Sequence, residues 1–440
     1  MKLLNINSLL LALMAAAFSF SAPKACAQSV TETMKLAAEG NSEAQYDLAC
    51  FLLFGEGVPQ DSAKAIKYFQ LSADAGYVKA QNAMGYAYLD GDGVAMDSLK
   101  AAHYFELAAN QGDVEAMLEL ARMYDKISGP LWDWKKCKEW YERADAAGSS
   151  EAHLHIAQDK LRSYGKKEEQ QEGLKEIERM VSEGDAAAMV VLGDAHYSAW
   201  DPLTENRKEA AALYRRAAET GNVDGMLNLA MCYANGKGVA MDQAEATKWY
   251  KKAAETGDVD AIYLYARRLA GGTGCEKNRE AAWEWFQKGA RQGEARCLTT
   301  VGEWLLNGTA GEKNVPLALS YLQQALQKHN GKAARLLGEC YRDGQGVKKS
   351  MEKAAAMWEQ AFQYSDRTGA ELLARYLEQH GEELGKAAHN EEEAQKAQEC
   401  FNRATAIWHE IVRWHDEDHP LPLTENPETG SFETNDRLTY

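Results

Sequence analysis

The chain has 440 residues, of which 45% are hydrophobic and 26% are charged, proportions that are ordinary for a globular protein. This composition excludes a disordered chain, a collagen-like chain and a membrane protein with many spans. The 49 Lys and Arg residues against 66 Asp and Glu residues give a formal net charge of −17, which disfavours nucleic acids and anionic membrane surfaces as partners because both are negatively charged.

The first 27 residues have the pattern of a secretory signal peptide. An apolar run over 9–20 is followed by Ala25-Cys26-Ala27, which places small side chains where signal peptidase requires them. We therefore expect cleavage after Ala27 and a periplasmic or secreted protein. Acylation of Cys26 is the weaker alternative, because Pro23 stands where lipoprotein signals usually carry Leu. No later stretch is apolar over a membrane-spanning length, so we expect no integral membrane segment in the mature chain.

A repeat of 36 residues runs through the rest of the chain. Bulky residues recur at this spacing, with one interval of 37 and a last one of 43. They are Phe69, Phe105, Tyr141, Ile177, Tyr214, Tyr250, Phe286, Leu322, Trp358 and Phe401. Small residues such as Ala80 follow at offset 11 from each of the first nine, and Ala or Gly, such as Gly85, follows at offset 16. An apolar residue also follows at offset 15, four residues after the small residue at offset 11. A spacing of four along one side is typical of an α-helix. We interpret each unit as helix A, a turn, helix B and a turn.

Glycines mark where these helices end. Helix A ends in Gly-x-Gly-Val at 55–58, 91–94, 236–239 and 344–347, and helix B ends at single glycines such as Gly76. Glycine readily adopts the left-handed conformation that stops a helix. Because one helix pair cannot bury its own apolar face, stacking of the pairs predicts one continuous core and one long domain.

Together these motifs resemble the Sel-1-like repeat, a relative of the tetratricopeptide repeat. The resemblance covers about residues 34–404 and implies an all-α fold, a right-handed α/α superhelix of about ten 36-residue helix-turn-helix repeats. Units three to five lack Gly-x-Gly after helix A, which leaves their turn geometry open. We expect the solenoid to occupy 28–416 with a closing helix at 405–416, and 417–440, which holds three of the eight prolines, to be a flexible tail.

The mature chain keeps seven cysteines, and no repeat carries two of them at a constant spacing. We interpret them as buried small residues. They are Cys50, Cys137, Cys232, Cys275, Cys297, Cys340 and Cys400. Some Sel-1-like proteins carry one disulfide per repeat, and a few are penicillin-binding or weakly β-lactamase-like. The resemblance therefore leaves open an enzyme of that class, and also a scaffold for envelope polysaccharide export.

The sequence predicts no catalytic residue, no metal site and no cofactor. The segment 409–413 begins like a zinc-protease helix, but Arg413 stands where the second His is required. His153 and His155 are two residues apart and point to different sides of helix A. No glycine-rich turn continues into Gly-Lys-Ser or Gly-Lys-Thr, which a phosphate-binding loop needs.

The predicted function is that of a non-enzymatic scaffold, which binds a protein or peptide through a groove lined by helix A. In tetratricopeptide-like solenoids helix A lines the concave face, and its exposed positions would lie at offsets 10, 13, 17 and 20 from the preceding bulky residue. The candidates at offset 13 are Tyr46, Asn82, Leu118, Leu154, Val190, Leu227 and Tyr263, and those at offset 17 are Tyr86, Arg122, Asp194 and Arg267. An apolar strip flanked by Tyr and Arg is typical of protein-recognition surfaces. The alternative is that offset 13 belongs partly to the core.

Overall fold

The computed structural model describes residues 23–126, 130–163, 165–200, 202–309, 311–418, 424–425 and 432–433, and within these ranges the side chains from 30 to 414. The helices are α1 (Pro23–Ala38), α2 (Ser42–Phe54), α3 (Ser62–Asp74), α4 (Val78–Asp90), α5 (Ser98–Ala109), α6 (Val114–Asp125), α7 (Trp134–Ala146), α8 (Ser150–Leu161), α9 (Lys167–Glu183), α10 (Ala186–Tyr197), α11 (Arg207–Glu219), α12 (Val223–Asn235), α13 (Gln243–Glu255), α14 (Val259–Gly271), α15 (Arg279–Arg291), α16 (Ala295–Asn307), α17 (Val315–Gln327), α18 (Gly331–Asp343), α19 (Met351–Gln363), α20 (Arg367–Ala387) and α21 (Glu391–Asp418). Two short strands, β1 (Thr424–Glu425) and β2 (Phe432–Glu433), pair antiparallel.

After α1, the described helices follow one another as ten pairs, from α2 and α3 to α20 and α21. The first member of each pair is helix A and the second is helix B, and we number the pairs as repeats 1 to 10. This arrangement confirms the predicted all-α repeat fold.

The chain divides into two compact units, one up to Lys252 and one from Ala253, whereas the sequence predicts a single long domain. In each unit, helix A packs against helix B of its own repeat, and helix B packs against helix A of the next repeat. Within a stack of this kind each repeat contacts only its neighbours.

In the first unit, the bulky residue of helix B fills a space left by a small residue of helix A. A methyl group added at Gly85 would lie 2.7 Å from ring atom Cε1 of the fully buried Phe105. One added at Gly193 would lie 2.6 Å from Cε1 of Tyr214. Both distances are shorter than van der Waals contact, so the two helices approach as closely as they do only because helix A carries no larger side chain there.

The second unit uses the same contact. A methyl group at Gly302 would lie 2.8 Å from Cγ of Leu322, and one at Gly338 would overlap with the indole of the buried Trp358. Leucine therefore fills the place of the aromatic ring in repeat 8, which explains why the sequence period tolerates an aliphatic residue at this position.

In most repeats the residue that caps helix B also holds the turn between helix A and helix B; the N-cap of helix B in repeat 4, Lys166, makes no side-chain cap contact. In repeat 2 the amide of Asp97 donates to the carbonyl of Tyr88 (2.9 Å), and its carboxylate accepts from the amide of Lys100 (3.1 Å). Asp133 of repeat 3 makes the same pair of contacts, with the carbonyl of Tyr124 (3.0 Å) and the amide of Lys136 (3.2 Å). Repeat 3 lacks Gly-x-Gly, and the residue that caps its helix B still makes both contacts seen in repeat 2.

The C-terminal prediction needs a correction. Residues 405–416 are not a separate closing helix, because α21 runs from Glu391 to Asp418 without a break, and no Gly or Pro interrupts it. Ile407, Trp408 and Ile411 still cover the last part of the core.

Both ends of the chain are described in part. The predicted cleavage position, Ala27, lies inside α1, and residues 1–22 of the predicted signal peptide lie outside the described residues. Residues 417–418 of the predicted tail belong to α21, and beyond them only the four strand residues are described. The flexible tail therefore stays a prediction.

Repeats 1 and 2 have a buried glutamine at the same position of helix A, but within the described residues only the one in repeat 2 has a partner for its side-chain oxygen. Gln81 donates to the carbonyl of Ala73 (3.3 Å), and its Oε1 accepts from Gln111 Nε2 (2.8 Å). The equivalent Gln45 is 8% exposed and donates to the carbonyl of Ala37, but its Oε1 has no hydrogen-bond partner among the described residues. The position that corresponds to Gln111 is Ala75.

We predict that Ala75→Gln stabilises the start of the array by about 1 kcal/mol, because the new amide can donate to the buried Oε1 of Gln45. Hydrogen exchange of the α2 amides should slow by about fivefold. The matched control is Ala147→Gln, where Met117 stands in place of the buried glutamine. If Ala147→Gln stabilises repeat 3 as much as Ala75→Gln stabilises repeat 1, the gain comes from glutamine at the end of helix B and not from the hydrogen bond to Gln45.

Candidate partner-binding surface

The candidate residues lie on helix A, and helices A of neighbouring repeats contact each other directly. In the first unit α8 contacts α10 and α10 contacts α12, and in the second unit α16 contacts α18 and α18 contacts α20. The rows predicted from the sequence therefore run along adjacent helices within each unit.

Part of the offset-13 row is core. Tyr46, Leu154 and Val190 are only 7%, 6% and 9% exposed, so they cannot serve as the predicted partner contacts. Tyr46 shows the reason, since its ring packs 5.5 Å from that of Phe69 and 5.4 Å from that of Tyr77. The alternative noted from the sequence holds for these three residues.

The other candidates remain accessible. At offset 13, Asn82, Leu118, Leu227 and Tyr263 are half-buried. At offset 17, Tyr86 and Asp194 are half-buried, whereas Arg122 and Arg267 are exposed. Met231, also at offset 17, is 48% exposed and was not among the predicted site residues, although its position in the repeat could have identified it.

Several candidates in the first unit bind the neighbouring repeat. Asn82 Nδ2 donates to Asp113 Oδ1 (3.0 Å), and Tyr86 Oη donates to Glu115 Oε1 (3.0 Å). Arg122 Nη2 donates to Glu151 Oε1 (2.5 Å). Each of these contacts joins helix A of one repeat to the start of the next helix A or to its cap. The sequence did not predict this role, which requires knowing which side chains meet across repeats.

Asp194 is held in the same way. Its Oδ1 accepts from Tyr214 Oη (2.7 Å) and from Asn228 Nδ2 (3.2 Å). Burial raises the pKa of this carboxyl group, although the hydrogen bond from Tyr214 opposes the shift. Asp194 thus fixes helix B of its own repeat and helix A of the next.

In the second unit the corresponding contacts involve cations. The guanidinium of Arg296 lies 4.4 Å from the ring centre of Tyr263 and pairs with Asp260. That of Arg267 lies 5.7 Å from the same ring. Both guanidinium groups lie within cation–π distance of the Tyr263 ring, so part of its contact surface is already used within the protein.

The charge of the helix A surface differs between the units. At offsets 10, 14 and 17 the first unit has seven carboxylates against two cations, namely Glu43, Asp47, Glu115, Glu119, Glu151, Asp194 and Asp224 against Lys79 and Arg122. The same offsets in the second unit have four cations against three carboxylates, namely Arg267, Arg296, Lys332 and Arg375 against Asp260, Glu303 and Glu339. The helix A surface of the first unit is therefore acidic.

His153 joins three helices of repeats 3 and 4. Its Nδ1 lies 2.9 Å from Asp145 Oδ1 and its Nε2 lies 2.6 Å from Glu176 Oε1. The hydrogen bond to Glu176, with that to Asp145, raises the pKa of His153 above its ordinary 6.5 despite partial burial. Arg179 and His153 lower the pKa of Glu176 to about 2. His155 lies elsewhere, stacked on Tyr141 with the ring centres 3.7 Å apart.

We predict that His153 stabilises the junction of repeats 3 and 4 in its protonated form. Because the folded pKa is raised, this stabilisation is fully present below about pH 6.5 and is lost as the pH rises through the folded pKa. His153→Gln should therefore lower the unfolding temperature more at about pH 5.5 than at about pH 9. The effect should be small because the side chain is partly exposed.

The exposed His103 offers the control for this measurement. At about pH 5.5, His103→Gln should lower the unfolding temperature by less than His153→Gln does, because His103 forms no ion pair among the described residues. An equal effect of His153→Gln at both pH values would contradict the assigned ionic contact.

A shallow depression at Lys277–Glu280 is open to solvent. Among the described side chains, no three of His, Cys, Asp and Glu lie close enough to hold a metal ion. All seven cysteines of the described region are free, and burial raises the pKa of Cys232 and Cys340 to about 11. The described helices include none with the length and apolar character needed to cross a bilayer.

The repeat matches a known family model, described as the Sel1 repeat. The matched residues are 42–77, 78–113, 114–149, 186–222, 223–258, 259–294, 297–330 and 331–363. The chain belongs to the Sel1 repeat family. Proteins of this family are generally non-catalytic scaffolds that typically mediate protein interactions. Repeats 4 and 10 lie outside the matches, although each has the same pair of helices as the others.

Several solved structures resemble this chain, among them structures of Sel1 repeat proteins. A protective antigen of uropathogenic Escherichia coli strains that displays an SLR fold is 27% identical, with 91% of this chain and 84% of that chain covered and a TM-score of 0.47. A Sel1 repeat protein from Oxalobacter formigenes is 23% identical, with 85% and 96% covered and a TM-score of 0.40. An immunity protein from Pseudomonas aeruginosa is 20% identical, with 56% and 91% covered and a TM-score of 0.35. No curated protein matches the chain.

Proposed function

We propose that this protein is an exported, non-enzymatic Sel1 repeat scaffold that binds a protein or peptide along the concave surface of its helices A. The family supports a role in protein interaction. The observation that carries the proposal is the accessible apolar surface on helices A of the first unit, where Met231 is 48% exposed and Leu118 and Leu227 are half-buried.

The partner would contact apolar side chains between charged ones. Leu118 and Leu227 are half-buried and Met231 is 48% exposed, so a ligand can cover apolar surface there without disturbing the core. Glu115 and Glu119 lie on the same helix A as Leu118, and Asp224 lies on the same helix A as Leu227 and Met231. A peptide with Lys or Arg beside apolar side chains therefore fits this surface best.

The other functions considered have less support. Free cysteines in the described region give no support to the resemblance with disulfide-stapled, penicillin-binding relatives. No feature of the described residues favours a role in polysaccharide export over protein binding.

We predict that Leu227→Asp combined with Met231→Asp reduces recovery of the bound partner at least tenfold, because a carboxylate cannot replace apolar contact at the centre of an interface. Leu154 is unsuitable for this test because it is buried, and Leu154→Asp would destabilise repeat 4. Crosslinking and affinity recovery from the native envelope fraction, quantified by mass spectrometry, measures the effect.

The control is Leu71→Asp combined with Leu107→Asp, which changes side chains that are 52% and 37% exposed on helices B of the same unit. Both double variants should keep the helical circular dichroism of the unaltered protein. Equal loss of the partner in the control, or no loss in the helix A variant, would refute binding at helix A.

Export gives a separate prediction. Protein isolated from its native host should begin at Gln28, because signal peptidase cleaves after Ala27 in the pattern Ala25-Cys26-Ala27. Intact mass and N-terminal sequencing measure this. An acylated Cys26 at the N-terminus would support the lipoprotein alternative, and a chain that still begins at Met1 would rule out both forms of processing.

A further inference from the structure

Two consecutive turns in the first unit expose four large apolar side chains. Met96 is 70% exposed and Leu99 is 68% exposed in the turn and first helical turn that open helix B of repeat 2. Trp132 is 52% exposed and Trp134 is 59% exposed at the same place in repeat 3. We call these four residues the turn-edge patch. Clusters of exposed apolar side chains are uncommon on soluble proteins, and where they occur they often mark interaction sites.

The two turns lie at the same edge of the first unit. Met96 and Trp132 are one repeat apart in the sequence, and both precede the aspartate that caps helix B. The side chains of Leu89 and Leu131, at these turns, pack against one common core cluster. The far ends of the two helices B are also close, since Arg143 Nη2 donates to Asn110 Oδ1 (3.0 Å). The patch therefore spans two neighbouring repeats.

The surroundings of the tryptophans are cationic. The ammonium of Lys135 lies 5.7 Å from the ring centre of Trp134, and that of Lys136 lies 5.0 Å from the ring centre of Tyr124. Lys126 is exposed in the same turn. None of the ion pairs among the described residues involves these three lysines, whereas Lys100 is paired with Asp97 (3.6 Å). Three ammonium groups beside the patch are thus available to an anionic partner.

The carboxylates nearest to these lysines have other positions in the turns. Asp133 Oδ1 accepts from the amides of Lys135 (3.0 Å) and Lys136 (3.2 Å), so it offsets the positive end of the helix B dipole. Asp97 caps helix B of repeat 2 in the same way. The exposed Asp90 and Asp125 add negative charge where helices A end. The cations beside Trp134 are Lys135 and Lys136, which follow it directly in helix B.

We propose that the turn-edge patch is a second docking surface, which binds an acidic protein segment that carries apolar side chains. Carboxylates of the segment would pair with Lys126, Lys135 and Lys136, while its apolar residues would cover Trp132 and Trp134. Exposed Trp beside cations is the composition of interface hot spots. An anionic lipid surface is less suitable, because a chain with a net charge of −17 is repelled from it and only three lysines oppose that repulsion.

The surface is independent of the helix A groove. It lies on the turns, it is cationic where the helix A surface of the first unit is acidic, and it selects the opposite charge in its ligand. The two surfaces can therefore be tested separately in the same protein.

The proposal can be tested with a random peptide library. The library is selected for binding to the full chain and counter-selected against the variant with Trp132→Ala and Trp134→Ala. The expected result is enrichment of peptides that combine Asp or Glu with Leu, Phe or Trp. A selected peptide should bind at least tenfold more weakly to the Trp variant and to a variant with Lys135→Glu and Lys136→Glu. Its affinity should also fall as the salt concentration rises.

Two controls accompany the measurement. Met241→Ala changes a methionine that is 69% exposed in the turn of repeat 6 at the position equivalent to Met96, and it should leave peptide binding unchanged. The variant with Leu227→Asp and Met231→Asp should also bind the peptide normally, so failure of the helix A groove and failure of this surface are distinguishable. All variants should keep their helical circular dichroism, because both tryptophans are more than half exposed.

Three results would overturn the proposal. The first is that no selected peptide needs Trp132 and Trp134 for binding. The second is that the selection enriches basic peptides. The third is binding to phosphatidylglycerol vesicles that the Trp132→Ala and Trp134→Ala changes abolish, in which case the partner of the patch is a lipid surface.

Discussion

The contact between a bulky side chain of helix B and an Ala or Gly of helix A determines how closely the two helices of each repeat approach. Phe105 on Gly85 and Trp358 on Gly338 show how little space remains, since even a methyl group would overlap with the ring. The distance between packed helices depends on the side chains at their contact. A repeat that keeps this pair of positions keeps its geometry, whatever the rest of its surface carries.

Because this contact lies inside the repeat, the turns are free to vary. Repeat 3 replaces Gly-x-Gly with a different segment, and Asp133 still attaches the turn to helix A and caps helix B. The variable turn is also where Trp132 and Trp134 are exposed. Surface function can therefore change at this edge at little cost to stability, which is a general property of loops on a rigid scaffold.

The helix A surface is more constrained. Asn82, Tyr86, Arg122 and Asp194 bind the neighbouring repeat, so they stabilise the stack as well as face the solvent. A partner that displaced them would have to compensate for these hydrogen bonds. Leu118, Leu227 and Met231 have no such polar role, and we therefore place the ligand over them rather than over the polar residues.

The sequence by itself determined the 36-residue period, the alternation of helices A and B, and the small residue that faces each bulky one. These features depend on contacts within a repeat, where spacing along the chain directly sets distance in space. Only the tertiary structure decided that Tyr46, Leu154 and Val190 are buried, that Asp194 binds two other helices, and that α21 continues through 405–416. Burial at offset 13 depends on which side chains the adjacent repeat brings to that position, and a period that is the same in every repeat carries no information about those differences.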